Sequence, residues 1–323
     1  MDSAPLDLIY LWNKLIWPLC RLLLFISIGL IIANLLESLN WTRRISALAG
    51  PLIRFGHLSE QVGAAFSMAI VSGVAANTML SEAYDKEQIN RKELILANLF
   101  NSLPTYFLHL PTVMFITLPF IRGAAFIYVG ITFGAALLRT LTIVVLSRIL
   151  LPKPAIPASL EEVKPTPRDW PALAKKTWKR FIRRMKKIIL FTVPIYILIF
   201  IMNRLEFFTT LETFLSSQLD FIPYLSPQGM GIIALMVAAE LTAGIAAAGA
   251  LLQDGVMDYN EIVFALLIGN ILSSPLRAVR HQFPYYAGIF KPRLAVELIV
   301  WNQGFRTVSL ILAALGYFLF VLS

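Results

Sequence analysis

The chain has almost no cysteine and no recognisable catalytic signature. Cys20 is the only cysteine among 323 residues, which excludes a disulfide framework and a cysteine-held metal centre. Only three histidines occur, His57, His109 and His281, and no His/Cys/Asp spacing fits a zinc or iron cage. There is no GxxxxGKS/T loop, so the chain carries no nucleotide motor of its own. The motifs GxSxG and HExxH are missing as well. These absences lead us to expect no enzymatic activity and no cofactor. Residues 1–13 contain two Asp and no basic cluster, so no cleavable signal peptide is expected.

Charge is also sparse. Asp, Glu, Lys and Arg make up 15% of the chain, while hydrophobic residues make up 58% and mean hydropathy is +0.72. A soluble globular domain does not have this composition. Apolar runs recur at 20–36, 124–145, 188–202 and 308–322, and about 20 such residues span the hydrocarbon core. The composition therefore predicts an all-α polytopic membrane protein, multi-pass in the inner (cytoplasmic) membrane, with the lipid bilayer as its first partner.

The net charge of +9 comes almost entirely from one segment. Residues 153–187 hold eleven Lys/Arg against Glu161, Glu162 and Asp169. Basic residues beside a span mark the cytoplasmic side, so this is read as a cytoplasmic linker and not as a nucleic-acid site. Within KKTWKRFIRRMKK (residues 175–187), Trp178, Phe181, Ile182 and Met185 share a helical stripe. Such a helix could lie on anionic lipid or be a solvated orientation signal.

What the sequence does contain is an internal likeness. Shifted by 171 residues, Gly73-Val74-Ala75-Ala76 falls on Gly244-Ile245-Ala246-Ala247, Ser102 and Pro104 on Ser273 and Pro275, and Arg122 on Arg293. Nine of 52 pairs between positions 73 and 124 are identical. Three parts follow: a first membrane repeat (1–150), a basic Pro-rich linker (151–186) and a second membrane repeat (187–323). Each repeat reads as a span, an amphipathic stretch, a small-residue segment (62–80 or 229–252), a polar-interrupted segment (about 92–120 or 261–290) and a closing apolar helix.

If the small-residue segments are re-entrant or broken, each repeat has about three spans and the second is inverted. In that arrangement 22 of the 28 Lys/Arg lie in inside segments, as the charge rule for cytoplasmic loops requires. Two inverted repeats are therefore the expected architecture, and duplicated segments with matching breaks are a mark of transporters.

Polar groups within the apolar segments are the candidate site. Asn77 follows the first small-residue break at Gly73, and Thr242 precedes the second at Gly244. Asn98, Asn101 and Ser102 precede Pro104, and Asn270, Ser273 and Ser274 precede Pro275. A proline frees carbonyls in the preceding turn, and neutral amides and hydroxyls both donate and accept. They suit a small polar solute or an ion, or else bond one helix to another. Glu240 is the one carboxylate that seems deep in an apolar stretch. Buried acids in membranes usually face a pathway, so it is a candidate for cation binding or proton coupling, or for pairing with Arg306 or Arg139. Arg277, Arg280 and His281 could attract an anionic group or mark the inner edge of the helix.

These segments resemble the nucleoside-recognition, or Gate, domain family. The residues that carry the resemblance are Ser72-Gly73-Val74-Ala75-Ala76-Asn77 with Asn98-Leu99-Phe100-Asn101-Ser102-Leu103-Pro104, and Ala243-Gly244-Ile245-Ala246-Ala247 with Gly269-Asn270-Ile271-Leu272-Ser273-Ser274-Pro275. Gate segments occur twice in the membrane part of ferrous iron transporters, in spore maturation proteins, and as likenesses within concentrative nucleoside transporters. The resemblance implies transport through paired broken helices, and a homodimer or a second Gate-family protein as partner. Two functions follow as expectations: a secondary transporter for a small polar solute, nucleoside-like or a metal ion, or a non-transporting scaffold or subunit of a Gate-protein hetero-complex.

Overall fold

The fold was taken from a computed structural model, which describes residues 7–21, 23–24, 27–28, 31, 50–153, 170–206, 210, 226–238 and 241–322. Among these residues every element is helical. After a short helical run at the N-terminal end come α1 (Gly50–Phe55), α2 (Glu60–Ala69), α3 (Gly73–Asp85), α4 (Arg91–Phe100), α5 (Ser102–Ile121) and α6 (Gly123–Leu150). The second half contains α7 (Trp170–Arg204), α8 (Pro227–Ala238), α9 (Leu241–Gln253), α10 (Tyr259–Arg277), a π-helical turn (Ala278–Gln282), α11 (Phe283–Phe290) and α12 (Pro292–Leu322).

Among the described residues, three helical runs are long and apolar enough to cross a bilayer: Gly123–Leu150, Tyr259–Phe290 and Pro292–Phe320. They present apolar side chains outward, with Ile149 72% and Phe320 81% exposed. The molecule is an all-α membrane protein.

Local chemistry sets the helix ends. Ser72 Oγ accepts from the Ala75 amide (3.2 Å) at the start of α3. Asn90 caps α4 by accepting from Glu93 N (3.0 Å). Asp258 and Glu261 cap each other's backbone at 2.8 Å in a reciprocal box at the start of α10. Each such cap contributes about 1 kcal/mol. Arg122 (φ 47°) and Lys291 (φ 69°) end α5 and α11 in the left-handed region, so both repeats turn into their last helix in the same way.

The caps space the two halves of the chain alike. Asn90 and Asp258 precede α4 and α10, 168 residues apart, and Arg122 and Lys291 end α5 and α11, 169 apart. The ungapped shift of 171 is thus two or three residues out of step with these ends, having aligned similar small residues.

The small-residue segments form helix pairs that cannot cross. α2 has 10 residues and α3 has 13, about 15 and 20 Å of helix against about 30 Å of hydrocarbon. α2 packs on α3, and α8 on α9. At Gly244 in α9 a Cβ would run into Met236 and approach the Ile232 carbonyl of α8 to 3.2 Å. The second pair is therefore closely packed, α8 against α9.

Two cores organise the molecule. The first joins the hairpin α2–α3 and α4 to the end of α6 (Ile143, Val144), to α11 (Ala287, Ile289) and to the start of α12 (Ala295, Leu298). The second joins α8, α9 and α10 to the start of α6 (Ala124, Tyr128), with the end of α5 and the later part of α12 (Leu310, Tyr317) packed in. Each core therefore draws on both halves of the chain. Ser81 Oγ donates to the Ile289 carbonyl at 2.8 Å, bridging 208 residues of sequence. α6 runs from the second core to the first, and α12 runs from the first to the second.

α7 differs from the expected linker. Residues 154–169 lie outside the described part, but 170–186 already belong to the 35-residue α7. Pro171 sits in its first turn, where the missing N–H is tolerated, and nothing before Pro194 interrupts the helix. Of the apolar stripe, Phe181 and Met185 pack on the first core, while Trp178 and Ile182 stay exposed. The amphipathic stretches expected near 38–58 and 204–226 lie largely outside the described residues.

Candidate functional site

A cavity of about 650 Å³ lies where the two cores meet. Ala69 and Gly73, on either side of the turn between α2 and α3, line it, and so does Leu241 of α9. So do the places where the long helices deviate. α4 gives way to α5 at Asn101, and α10 passes Pro275 into the π-helical turn. Both interruptions sit at the height of the cavity, lined there by Asn101, Ser102, Arg277 and His281.

One wall is built of amides and phenols. Asn98 Nδ2 donates to Asn77 Oδ1 (2.9 Å) and to the Tyr286 hydroxyl (3.2 Å). Asn270 Nδ2 donates to the Tyr128 hydroxyl (2.8 Å). Each half of the chain thus offers an asparagine to a tyrosine of the other half. Tyr106 donates to the Val129 carbonyl (3.1 Å) and pairs with Thr132 (2.9 Å). Ser274 Oγ donates to Gln303 Oε1 (2.7 Å).

Asn101 is different. It is 5% exposed and lines the cavity, and neither its amide nitrogen nor its oxygen has a partner in the protein. The Asn98 oxygen is likewise unpartnered. Buried polar atoms without partners cost about 1–3 kcal/mol each, so a protein that keeps them has a use for them.

Three arginines share the same cavity. Arg139 on α6 is 8% exposed, and its Nε donates to Ser102 Oγ at 3.0 Å. Arg306 on α12 and Arg277 on α10 both donate to Asn270 Oδ1, at 3.1 and 3.2 Å. Arg139 and Arg306 come from the two helices, α6 and α12, that run between the cores. No Asp or Glu occurs among the described lining residues, and among the described residues no cluster of His, Cys, Asp and Glu could hold a metal.

Comparison with known proteins gives relatives but no activity. No family model matches the chain, and no solved structure matches it. It is similar to three proteins of Methanocaldococcus jannaschii. Uncharacterized protein MJ0871 is 24% identical over 283 residues, 87% of each chain. Uncharacterized protein MJ1556 is 27% identical over 265 residues, 81% of this chain and 83% of its own length. Uncharacterized protein MJ0880 is 24% identical over 310 residues, 93% and 98% respectively. The similarity thus runs through both repeats.

Of the expected site residues, Gly73, Asn77, Asn98, Asn101, Ser102, Asn270 and Ser274 all line the cavity. Thr242 is exposed and Ser273 is buried away from it. Glu240 lies outside the described residues. Gly244 is no helix break but a packing position inside α9, because its missing side chain lets α8 approach. Pro104 falls in the first turn of α5, so the break is at Asn101 instead. Pro275 stays inside α10 and is exposed; the irregularity it precedes is the π turn.

Sequence reasoning missed Arg139, Arg306 and the four lining tyrosines as wall residues. A signal existed: two arginines sit within otherwise apolar spans, and intramembrane charges mark pathways.

Proposed function

We propose that the protein is a membrane transporter that binds a small polar solute in the cavity between its two cores. One observation carries this reading: a cavity of about 650 Å³ lined by polar side chains of several helices and faced by the unpartnered amide of Asn101. Ligand sites for small molecules fall in the range of about 300–1,000 Å³, far larger than a bare ion needs.

The inverted-repeat reading is supported by the opposite courses of α6 and α12 between the cores and by short helix pairs in opposite cores. Inverted repeats with broken helices at the centre place a substrate where both sides can reach it in turn. Because each core mixes both repeats, the bodies that move are the cores and not the repeats. Asn101 and the π turn after α10 lie between the cores and are the natural hinges. The likeness to Gate proteins agrees with this mode, as does an inner-membrane location with the basic linker inside. The scaffold alternative loses ground because purely structural contacts would not leave Asn101 unsatisfied.

Uptake by the full-length protein in proteoliposomes tests the proposal. Solute accumulation above empty vesicles is expected, with at least a tenfold loss in Asn101→Ala. Glu240 neighbours the lining residue Leu241, and its proposed role is to couple transport to a proton. Glu240→Gln should abolish gradient-driven accumulation while leaving solute exchange. Absence of uptake for every solute that binds would leave the scaffold reading in its place.

A further inference from the structure

The geometry points to an oxyanion as the recognised group: the solute is a small organic anion whose carboxylate or phosphoryl oxygens sit among Arg139, Arg277 and Arg306. This rests on the cavity being a solute site and goes on to name the solute's chemistry.

The charge balance of the wall carries the argument. Three guanidinium groups line one cavity and none of its described lining residues is acidic. Arg139 and Arg306 carry the argument, because the partners recorded for them are neutral: Ser102 Oγ for Arg139, and Asn270 Oδ1 for Arg306. A guanidinium presents five N–H donors in a fixed fork. One neutral acceptor uses only part of that capacity. Arg139 is nevertheless held 8% exposed, and burying a cation without a counter-charge is costly. Carboxylate and phosphate match the fork with two parallel bonds, so an oxyanion would supply both the missing charge and the missing acceptors.

Two further observations give the anion a direction. Ser72 caps the start of α3, and Gly73, its first residue, is on the cavity wall. Helix N-termini add positive potential there. The unpartnered amide of Asn101 marks the place of an uncharged polar group that both donates and accepts. Tyr106, Tyr128, Tyr285 and Tyr286 line the cavity with aromatic surface, so the body of the solute can be apolar or planar.

The same wall disfavours a metal ion, which three arginines would repel, and gives a neutral nucleoside nothing that needs arginine.

The experiment uses purified full-length protein in detergent, titrated calorimetrically with defined probes. Succinate and benzoate represent carboxylates, and phenylphosphonate and phosphate represent phosphoryl groups. Benzamide and uridine are neutral controls, and Mn²⁺ is the cation control. At least one oxyanion should bind, more weakly as salt is raised, and the neutral and cationic probes should not. Which arm binds decides between carboxylate and phosphoryl chemistry. Arg139→Gln and Arg306→Gln should each weaken binding at least tenfold, and Arg306→Lys should retain more than Arg306→Gln. Should Arg139→Gln fail to fold, Ser102→Ala replaces it, since it frees Arg139 from its one recorded partner without removing the charge; anion binding should then shift by less than in Arg306→Gln.

Binding of uridine or Mn²⁺ with no oxyanion bound overturns the inference, as does anion binding that the arginine variants leave unchanged, or no binding by any oxyanion. The carrier reading fails separately: an oxyanion that binds through these arginines but is never moved across proteoliposomes would keep the site and discard transport.

Discussion

Asn101 is 5% exposed and Asn270 6% exposed, and both are amides on the same cavity, yet their bonding differs. Both amide atoms of Asn270 are used, by Tyr128, Arg277 and Arg306. Neither atom of Asn101 is used. Hydrogen bonds to charged groups are worth about 1.5–3 kcal/mol, and an orphaned buried group is itself a cost. Asn270→Leu should therefore lower unfolding stability by about 1.5–3 kcal/mol. Asn101→Leu should leave it unchanged or raise it, while ligand binding is lost. Thermal unfolding of both variants in detergent, with and without solute, checks the pair. A large destabilisation by Asn101→Leu would show that its amide serves the fold. That Asn98, Asn101 and Asn270 matter was legible in the sequence, because amides in apolar segments stand out. That Asn101 is idle and Asn270 saturated was not, since the partners come from helices far away in the chain.

At the scale of elements, close helix approach explains the small residues. A Cβ on Gly249 would meet the Phe120 carbonyl oxygen at 2.9 Å, a backbone atom of α5 that cannot yield. At Gly244 the chief obstacle is the flexible side chain of Met236. Overpacking a tight contact costs about 1–3 kcal/mol. Gly249→Ala should reach that range, and Gly244→Ala should cost less than about 1 kcal/mol as Met236 moves aside. Chemical denaturation of the two variants side by side would reveal the order, and a reversed order would mean that α9 rests on α8 more than on α5. Helix limits were largely readable, because the caps Asn90 and Asp258 and the turns before α6 and α12 are local chemistry. The short helix pairs were readable only as small-residue segments. Glycine and alanine signal a break and a tight contact alike, which is why Gly244 was assigned to the wrong one.

At the scale of the molecule, the proposed inversion makes a prediction about sides. The turn after α3 and the turn after α9 should face opposite compartments. Cys20 is the single native cysteine, so a Cys20→Ser background is simple to prepare. Gln88→Cys and Asp254→Cys, both at exposed turn positions, would then be labelled with a membrane-impermeant thiol reagent in intact cells. Asp254→Cys should react and Gln88→Cys should react only after lysis. Labelling of both from one side would establish parallel repeats. The distribution of Lys and Arg is what predicts this topology, because charge is read by the membrane in bulk. The cavity was not legible, since Arg139, Arg277 and Arg306 come from three helices that only the tertiary fold brings together.

The sharing of each core between the two halves has a consequence for synthesis. When the first repeat leaves the ribosome, the residues that will cover its hairpin do not yet exist; Ile289, which receives the Ser81 hydroxyl, is 208 residues further on. Such distant contacts form slowly. The nascent first half must wait in the membrane, uncovered, for the second. The same dependence allows the gene to be cut in the linker: neither fragment should accumulate alone, and the two made together should assemble into one working protein.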